Sequence, residues 1–186
     1  MIRVRSHIVP LSPALLVAAA NAFIGVGEQG GDNRGQMVEH FLKGVALPPG
    51  QPWCAAFVYH VGHSAHYDHL SRRSSWPLPA TGSCDALGRA ARAAGVLRDE
   101  PNVGDIFLMY SHMRRRFYHT GIVVGIHEED RVHERDVHVC ATVEGNTNDD
   151  GSANGHTTLR KVRNFREVDG HRFIRWAEMG RWAAAA

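Results

Sequence analysis

The apolar pattern of this chain changes period once, near residue 100, and that change restricts the fold more than any other feature. Before it, apolar residues recur at helical spacing between helix-start and helix-stop signals. Ser12 and Pro13 read as an N-cap and a first helical position. Leu15, Ala19, Ala22, Phe23 and Val26 then share one face, which predicts a helix over about 13–26. After the glycine-rich turn Gly27 to Gly31, a short helix is expected over Gln36 to Leu42. Pro48-Pro49-Gly50 breaks the chain, and a further helix begins near Pro52 and runs to about His66. The Pro-rich loop Trp76 to Pro79 leads to a last helix over about 83–95, ending on Gly95.

Beyond the change the pattern is that of strands, at Asp105 to Tyr110, His119 to Ile126, Thr157 to Phe165 and Arg172 to Trp176. Between them Val137 to Glu144 alternates. Val137, Val139, Ala141 and Val143 lie on one face, and His138, Cys140, Thr142 and Glu144 on the other. Helices first and strands after predict an α+β fold, with N-terminal helices packed on an antiparallel β-sheet. The 186 residues hold no repeat or low-complexity linker. They suit one domain over 1–186, with a core at about 13–177, since domains commonly run ~100–200 residues.

Several classes are excluded. A formal charge of +2, with no basic face interleaved with aromatics, argues against nucleic acid as a partner. No apolar stretch is long enough to span a bilayer, so no membrane insertion is expected. Arg3 and Arg5 ahead of Leu15 to Val26, with Ala18-Ala19-Ala20, imitate a signal peptide. The capping signals favour an ordinary first helix instead, and the chain is expected to be made in the cytoplasm without a leader. Ala183 to Ala186 read as a frayed tail. The three cysteines, at 54, 84 and 140, form no CxxC pair, so zinc-ribbon and thioredoxin motifs are absent and at least one thiol is unpaired.

The chemistry concentrates in three segments. In Gln51-Pro52-Trp53-Cys54-Ala55-Ala56-Phe57-Val58, the proline places Cys54 in the first turn of a helix. Unpaired N–H groups and the helix dipole there favour a thiolate. The bland alternative is a buried core cysteine. In Phe117-Tyr118-His119-Thr120-Gly121, a histidine opens a buried strand and a glycine two residues on permits close approach. In Val143-Glu144-Gly145-Asn146-Thr147-Asn148, a carboxylate ends a strand and amides follow. A thiol hydrolase needs a thiolate, an imidazole, and a third group that fixes the imidazole tautomer. Cys54, His119 and Glu144 are candidates for those roles. Asn146 is an alternative orienting group or a donor to the substrate carbonyl, and a polar turn is the competing reading.

Taken in order, PWCAAFV (52–58), PNVGDIFLM (101–109), HTGIVV (119–124) and EGNTN (144–148) resemble the cysteine- and histidine-dependent amidohydrolase/peptidase (CHAP) family. That family belongs with the NlpC-type papain-like peptidases. Glu28 to Gly35 is similar to the segment preceding the cysteine in its members, and the resemblance runs from about Leu15 to about Arg163. It implies a papain-like fold. It also implies hydrolysis of an amide or peptide bond of bacterial peptidoglycan, as a phage-type lysin or an antibacterial effector acting on the cell wall. Cys54 would be the nucleophile and His119 the base, with Glu144 and Asn146 orienting. Gln51, Trp53, Glu28 and Asn33 would contact substrate. No cofactor is expected. Some relatives bind calcium upstream of the cysteine, where this chain offers only Glu28 and Asp32. An effector would also have an immunity or inhibitor protein as partner. Two rivals stand beside this reading, a catalytically silent cell-wall peptide-binding module and an amidase of small soluble amides.

Four further features carry bland expectations. His60, His63, His66 and His69 recur every three residues, but that spacing drifts around a helix and no metal site is expected. Arg114-Arg115-Arg116 reads as a solvated loop, with a grip on carboxylates or phosphates as the alternative. Cys84 and Cys140 are expected to be structural, and Trp53 and Trp76 to serve either a groove or the core. Gly104-Asp105 is expected to form a turn beneath the site.

Overall fold

The computed structural model describes residues 9–127, 137–149 and 155–179. Arg3, Arg5 and the tail Ala183 to Ala186 lie outside them. Helices α1 (Pro13–Ala22), α2 (Gln36–Gly44), α3 (Cys54–Ala65) and α4 (Cys84–Ala93) precede almost all of the sheet. A small ribbon, β1 (Tyr67–Asp68) and β2 (Arg73–Ser74), follows α3. The main strands are β3 (Leu97–Arg98), β4 (Ile106–Ser111), β5 (Arg116–Ile126), β6 (Val137–Thr147), β7 (Thr157–Arg166) and β8 (Arg172–Ile174). They form one sheet in the order β3-β8-β4-β5-β6-β7, with every pairing antiparallel. The α+β class and the antiparallel sheet therefore agree with the sequence pattern. No helix among the described residues is long and apolar enough to cross a membrane.

Local chemistry accounts for the helix limits. Ser12 caps α1, its hydroxyl accepting from the Leu15 N–H at 3.3 Å. Helix α1 ends at Ala22 rather than Val26, because the next residues are claimed by the sheet. Gly25 N–H donates to Thr158 O at 2.9 Å, and Val26 O accepts from Thr158 N–H at 2.7 Å. The buried face of α1 is also one residue out of phase with the expectation. Leu16 and Ala20 are fully buried, whereas Leu15 is 44% exposed. In α4, Ser83 accepts from Ala86 N–H at 3.2 Å, and Gly95, at φ +66, supplies the left-handed turn that ends the helix. The last strand stops at Ile174. Trp176 instead opens a 3-10 turn, and its indole N–H donates to Gly104 O at 2.7 Å.

The main core lies between the helices and the sheet. Phe41, Trp53, Phe57, Leu16 and Leu42 from the helices meet Ile106, Leu108, Ile122 and Val143 from the strands. A second cluster of Phe107, Val123, Cys140, Phe165 and Phe173 uses the alternate strand positions. Gly145 is what lets α3 lie against β6. A Cβ there would stand 2.6 Å from both Phe57 Cγ and Trp53 Cζ3. The packing thus fixes the start of α3 over the ends of β5 and β6.

The remaining sequence features resolve into architecture. His66 is buried, its Nδ1–H donating to Gly62 O at 2.9 Å while Nε2 accepts from Ser12 N–H at 3.1 Å. His60 packs on Phe41 and Phe23, and burial pulls its pKa down to about 4. Trp76 is buried and stacks on His66 and Trp176. The Gly104-Asp105 turn ties β4 to α1 and to the C-terminal segment. A Cβ at Gly104 would meet Pro13 Cβ at 2.4 Å.

Candidate active site

One helix and three neighbouring strands each contribute one side chain. Cys54 is the first residue of α3, where N–H groups have no partner inside the helix. His119 comes from β5, Glu144 from β6, and Arg163 from β7. His119 Nε2–H donates to Glu144 Oε2 at 2.9 Å, which leaves Nδ1 for the Cys54 sulfur. The carboxylate has further donors. Arg163 reaches it side-on, Nε to Oε1 at 2.8 Å and Nη2 to Oε2 at 2.6 Å. Thr142 Oγ1 donates to Oε1 at 2.6 Å. Gly121 opens the path for this side chain, since a Cβ there would lie 3.0 Å from Glu144 Cγ and 2.7 Å from Phe107 Cε1.

Burial makes these contacts strong, because water screens little of the charge. Glu144 is fully buried and only 13% of the His119 side chain is exposed. Burial by itself would raise the Glu144 carboxyl, but Arg163 and His119 hold it well below the usual carboxylate range. Burial would likewise lower His119, yet hydrogen bonds to Cys54 and Glu144 lift it to about 9. Cys54 is held well below an ordinary thiol. The Cys84 S–H donates to it, the His119 imidazolium and the Ala55 N–H add to that, and together they outweigh desolvation. The resting state these forces favour is a Cys54 thiolate paired with a protonated His119, backed by an ionised Glu144.

The group opens onto a cleft of about 890 Å³. Cys54, Cys84 and His119 are on its wall, with Tyr110, Asn146, Lys161 and Arg163. Arg114 and Arg116 stand exposed at its rim. The cleft is thus nucleophilic at one point and cationic around it.

Other residues expected at the site are placed elsewhere, and these readings are corrected. Trp53 is fully buried against Phe41 and Phe57, so it belongs to the core and does not wall the cleft. Glu28 accepts the Trp53 indole N–H at 3.1 Å and serves that packing. Asn33 is buried at φ +56, its carbonyl accepting from Gly50 N–H at 3.0 Å. Gln51 is exposed and outside the cleft lining. Asn146 does line the cleft, but it does not orient His119. With its amide turned to suit its neighbours, Oδ1 accepts from Trp53 N–H at 3.2 Å and Nδ2 donates to Gly155 O at 2.5 Å. It therefore fastens the end of β6 to the start of α3.

Two residues the sequence reading passed over belong to the site. Arg163 sits in the inward phase of β7 with Leu159 and Phe165, where an arginine is out of place unless it has a buried anion. Cys84, read as structural, begins α4 and places its Sγ 3.6 Å from that of Cys54. Among the described residues no group of three or more His, Cys, Asp or Glu side chains is arranged to hold a metal ion. No family model, curated protein or solved structure matches the chain.

Proposed function

We propose that the chain is a thiol hydrolase of the papain-like CHAP type, cutting an amide or peptide bond in bacterial peptidoglycan. The observation that carries this reading is the relay of Cys54 at a helix start, His119, and a buried Glu144, open to a cleft of substrate size. The cationic rim of Arg114 and Arg116 suits a substrate rich in carboxylates, as peptidoglycan stem peptides are.

The chemistry follows from the placement of each group. The Cys54 thiolate attacks the carbonyl carbon, and the backbone N–H of Cys54, unclaimed by the helix, faces the developing oxyanion. His119 gives its Nδ1 proton to the leaving amine and then takes one from the water that releases the acyl group. Glu144 keeps the imidazole in the one orientation that serves both steps. If the chain acts as an antibacterial effector, its partner is an inhibitor that covers this cleft.

Wild type and Cys54→Ala, incubated with Gram-negative and Gram-positive peptidoglycan, give the test. New soluble muropeptides by mass spectrometry are expected from wild type alone, and the fragment masses name the bond. Intact sacculi with both proteins would overturn the reading.

A further inference from the structure

Two helices of this chain begin on a cysteine, and their starts converge on the wall of one cleft. Cys54 opens α3 and Cys84 opens α4. Their Sγ atoms are 3.6 Å apart, and the two residues are 5% and 6% exposed and line the cleft. A disulfide requires an S–S distance of about 2.05 Å, so closure of about 1.5 Å is needed, within the reach of side-chain rotation. The third cysteine, Cys140, is fully buried in the second cluster with Phe107, Val123 and Phe165.

The two sulfurs are also unequal. Cys54 is the nucleophile, with the Ala55 N–H and His119 around it, and Cys84 holds its proton and presents it to Cys54. A thiolate beside a protonated thiol is the arrangement in which a sulfenic acid is captured before it oxidises further.

We propose that Cys54 and Cys84 form a peroxide-sensitive couple that closes reversibly to a disulfide and so switches the nucleophile off. In the first step the Cys54 thiolate attacks one oxygen of hydrogen peroxide. An S–O bond forms, the O–O bond breaks, and two electrons pass from sulfur to the peroxide. The leaving hydroxide takes the proton of the His119 imidazolium and departs as water. In the second step the Cys84 sulfur attacks the Cys54 sulfur. The S–S bond forms, the S–O bond breaks, and the hydroxyl leaves with the Cys84 proton as a second water. A dithiol reductant reverses the couple by two thiol–disulfide exchanges, restoring both thiols. The inhibitory consequence rests on the hydrolase reading, whereas the bond itself rests on the sulfur geometry.

The test uses the full chain, reduced and then treated at neutral pH with a few equivalents of hydrogen peroxide. Remaining thiols are alkylated under denaturing conditions and the protein is mapped by mass spectrometry. The expected product is lighter by two hydrogens, carries one cross-link between the Cys54 and Cys84 peptides, leaves Cys140 alkylated, and reverts in dithiothreitol. Cys84→Ser is expected to accumulate Cys54 sulfinic acid that dithiothreitol does not reverse, with circular dichroism checking its fold. The wild-type map decides even if that variant fails to fold. Wild type carrying sulfinic acid on Cys54 while Cys84 remains an alkylated thiol would overturn the couple.

Peptidoglycan hydrolysis measured on the same samples separates the two readings. Activity is expected to fall about tenfold or more with the cross-link and to return on reduction. A cross-link in a protein that never cuts peptidoglycan would sink the hydrolase reading alone. Hydrolysis without a cross-link would sink the couple alone.

Discussion

Glu144, within β6, and Asp105, just before β4, are both buried carboxylates, and each faces an arginine, yet the fold treats them oppositely. Glu144 receives Arg163 through two bonds of 2.8 and 2.6 Å, His119 at 2.9 Å and Thr142 at 2.6 Å. Asp105 receives Asn102 N–H at 2.8 Å and a single long contact from Arg175 at 3.3 Å. Burial pushes Asp105 up from 3.8 to about 6, against what those two donors supply. At Glu144 the donors win over the same penalty and hold the carboxyl well below its range. Burial is therefore common to both, and the number and aim of the donors decide which charge state the fold prefers. One position keeps an anion between His119 and Arg163, and the other tolerates a carboxyl in the turn before β4.

The largest effect expected from breaking this contrast is at Glu144→Gln. The amide keeps the shape but loses the charge that holds imidazolium and guanidinium together. Hydrolysis should fall by about 10²–10⁴-fold, the range for losing an orienting carboxylate or a general base. Stability should fall by roughly 2–4 kcal/mol, because Arg163 loses its anion yet keeps some contact with water. Equilibrium urea unfolding and peptidoglycan turnover on the same preparation check both. Turnover within a few-fold of wild type would remove Glu144 from the relay.

The same contrast separates what the sequence disclosed from what it hid. Cys54, His119 and Glu144 drew attention through local signs, a proline before a helix start and a histidine and a carboxylate read at strand ends, although β5 begins at Arg116 and β6 runs on to Thr147. The α+β class with an antiparallel sheet was legible from the change of period, and the strand order was not. Arg163 was not, because its partner is set by how β6 and β7 pair, with Cys140 opposite Arg163 and Thr142 opposite Lys161. Its only trace in the sequence is a charge in the inward phase of a strand. Cys84 failed in a related way. Its helix start was legible, but the convergence of two helix starts is a property of packing. Asn146 was read as an orienting group because it follows the carboxylate, and Trp53 was given to the substrate because it flanks the nucleophile. They hold each other in place instead.

The second prediction works on Asp105 and has the opposite sign. A carboxyl whose folded pKa is raised binds its proton more tightly in the folded chain. Stability is therefore lost as pH rises from 3.8 to about 6. Glu144, depressed, contributes stability that is present above its ordinary value of 4.5 and lost as pH falls below it. Asp105→Asn removes the first slope and leaves the second. The variant should match wild type near pH 4 and exceed it at pH 8 by on the order of 1–3 kcal/mol, the free energy of holding that proton more tightly in the folded chain. Urea unfolding at the two pH values measures it. A variant weaker than wild type at pH 8 would mean that Asp105 and Arg175 stabilise as an ion pair, and the two carboxylates would then be alike.

The smallest effect, and the sharpest on the cause of the contrast, is expected from Arg163→Lys set against Arg163→Met. The guanidinium meets both carboxylate oxygens at once, which an ammonium cannot do, so Lys keeps the charge and loses the fork. With the fork weakened, the Glu144 carboxyl rises toward its ordinary value. The acid limb of kcat/KM should then move toward neutral pH, further for Met than for Lys. Turnover at neutral pH should fall about tenfold for Lys and further for Met. The alkaline limb, which follows His119 near 9, should stay nearer its place. Equal losses in the two variants would make the fork geometry, not the positive charge, the source of the difference from Asp105. An acid limb unmoved in both would show that His119 and Thr142 suffice to keep Glu144 ionised. Arg163 would then serve packing alone, and donor count without a guanidinium would be enough to separate the two carboxylates.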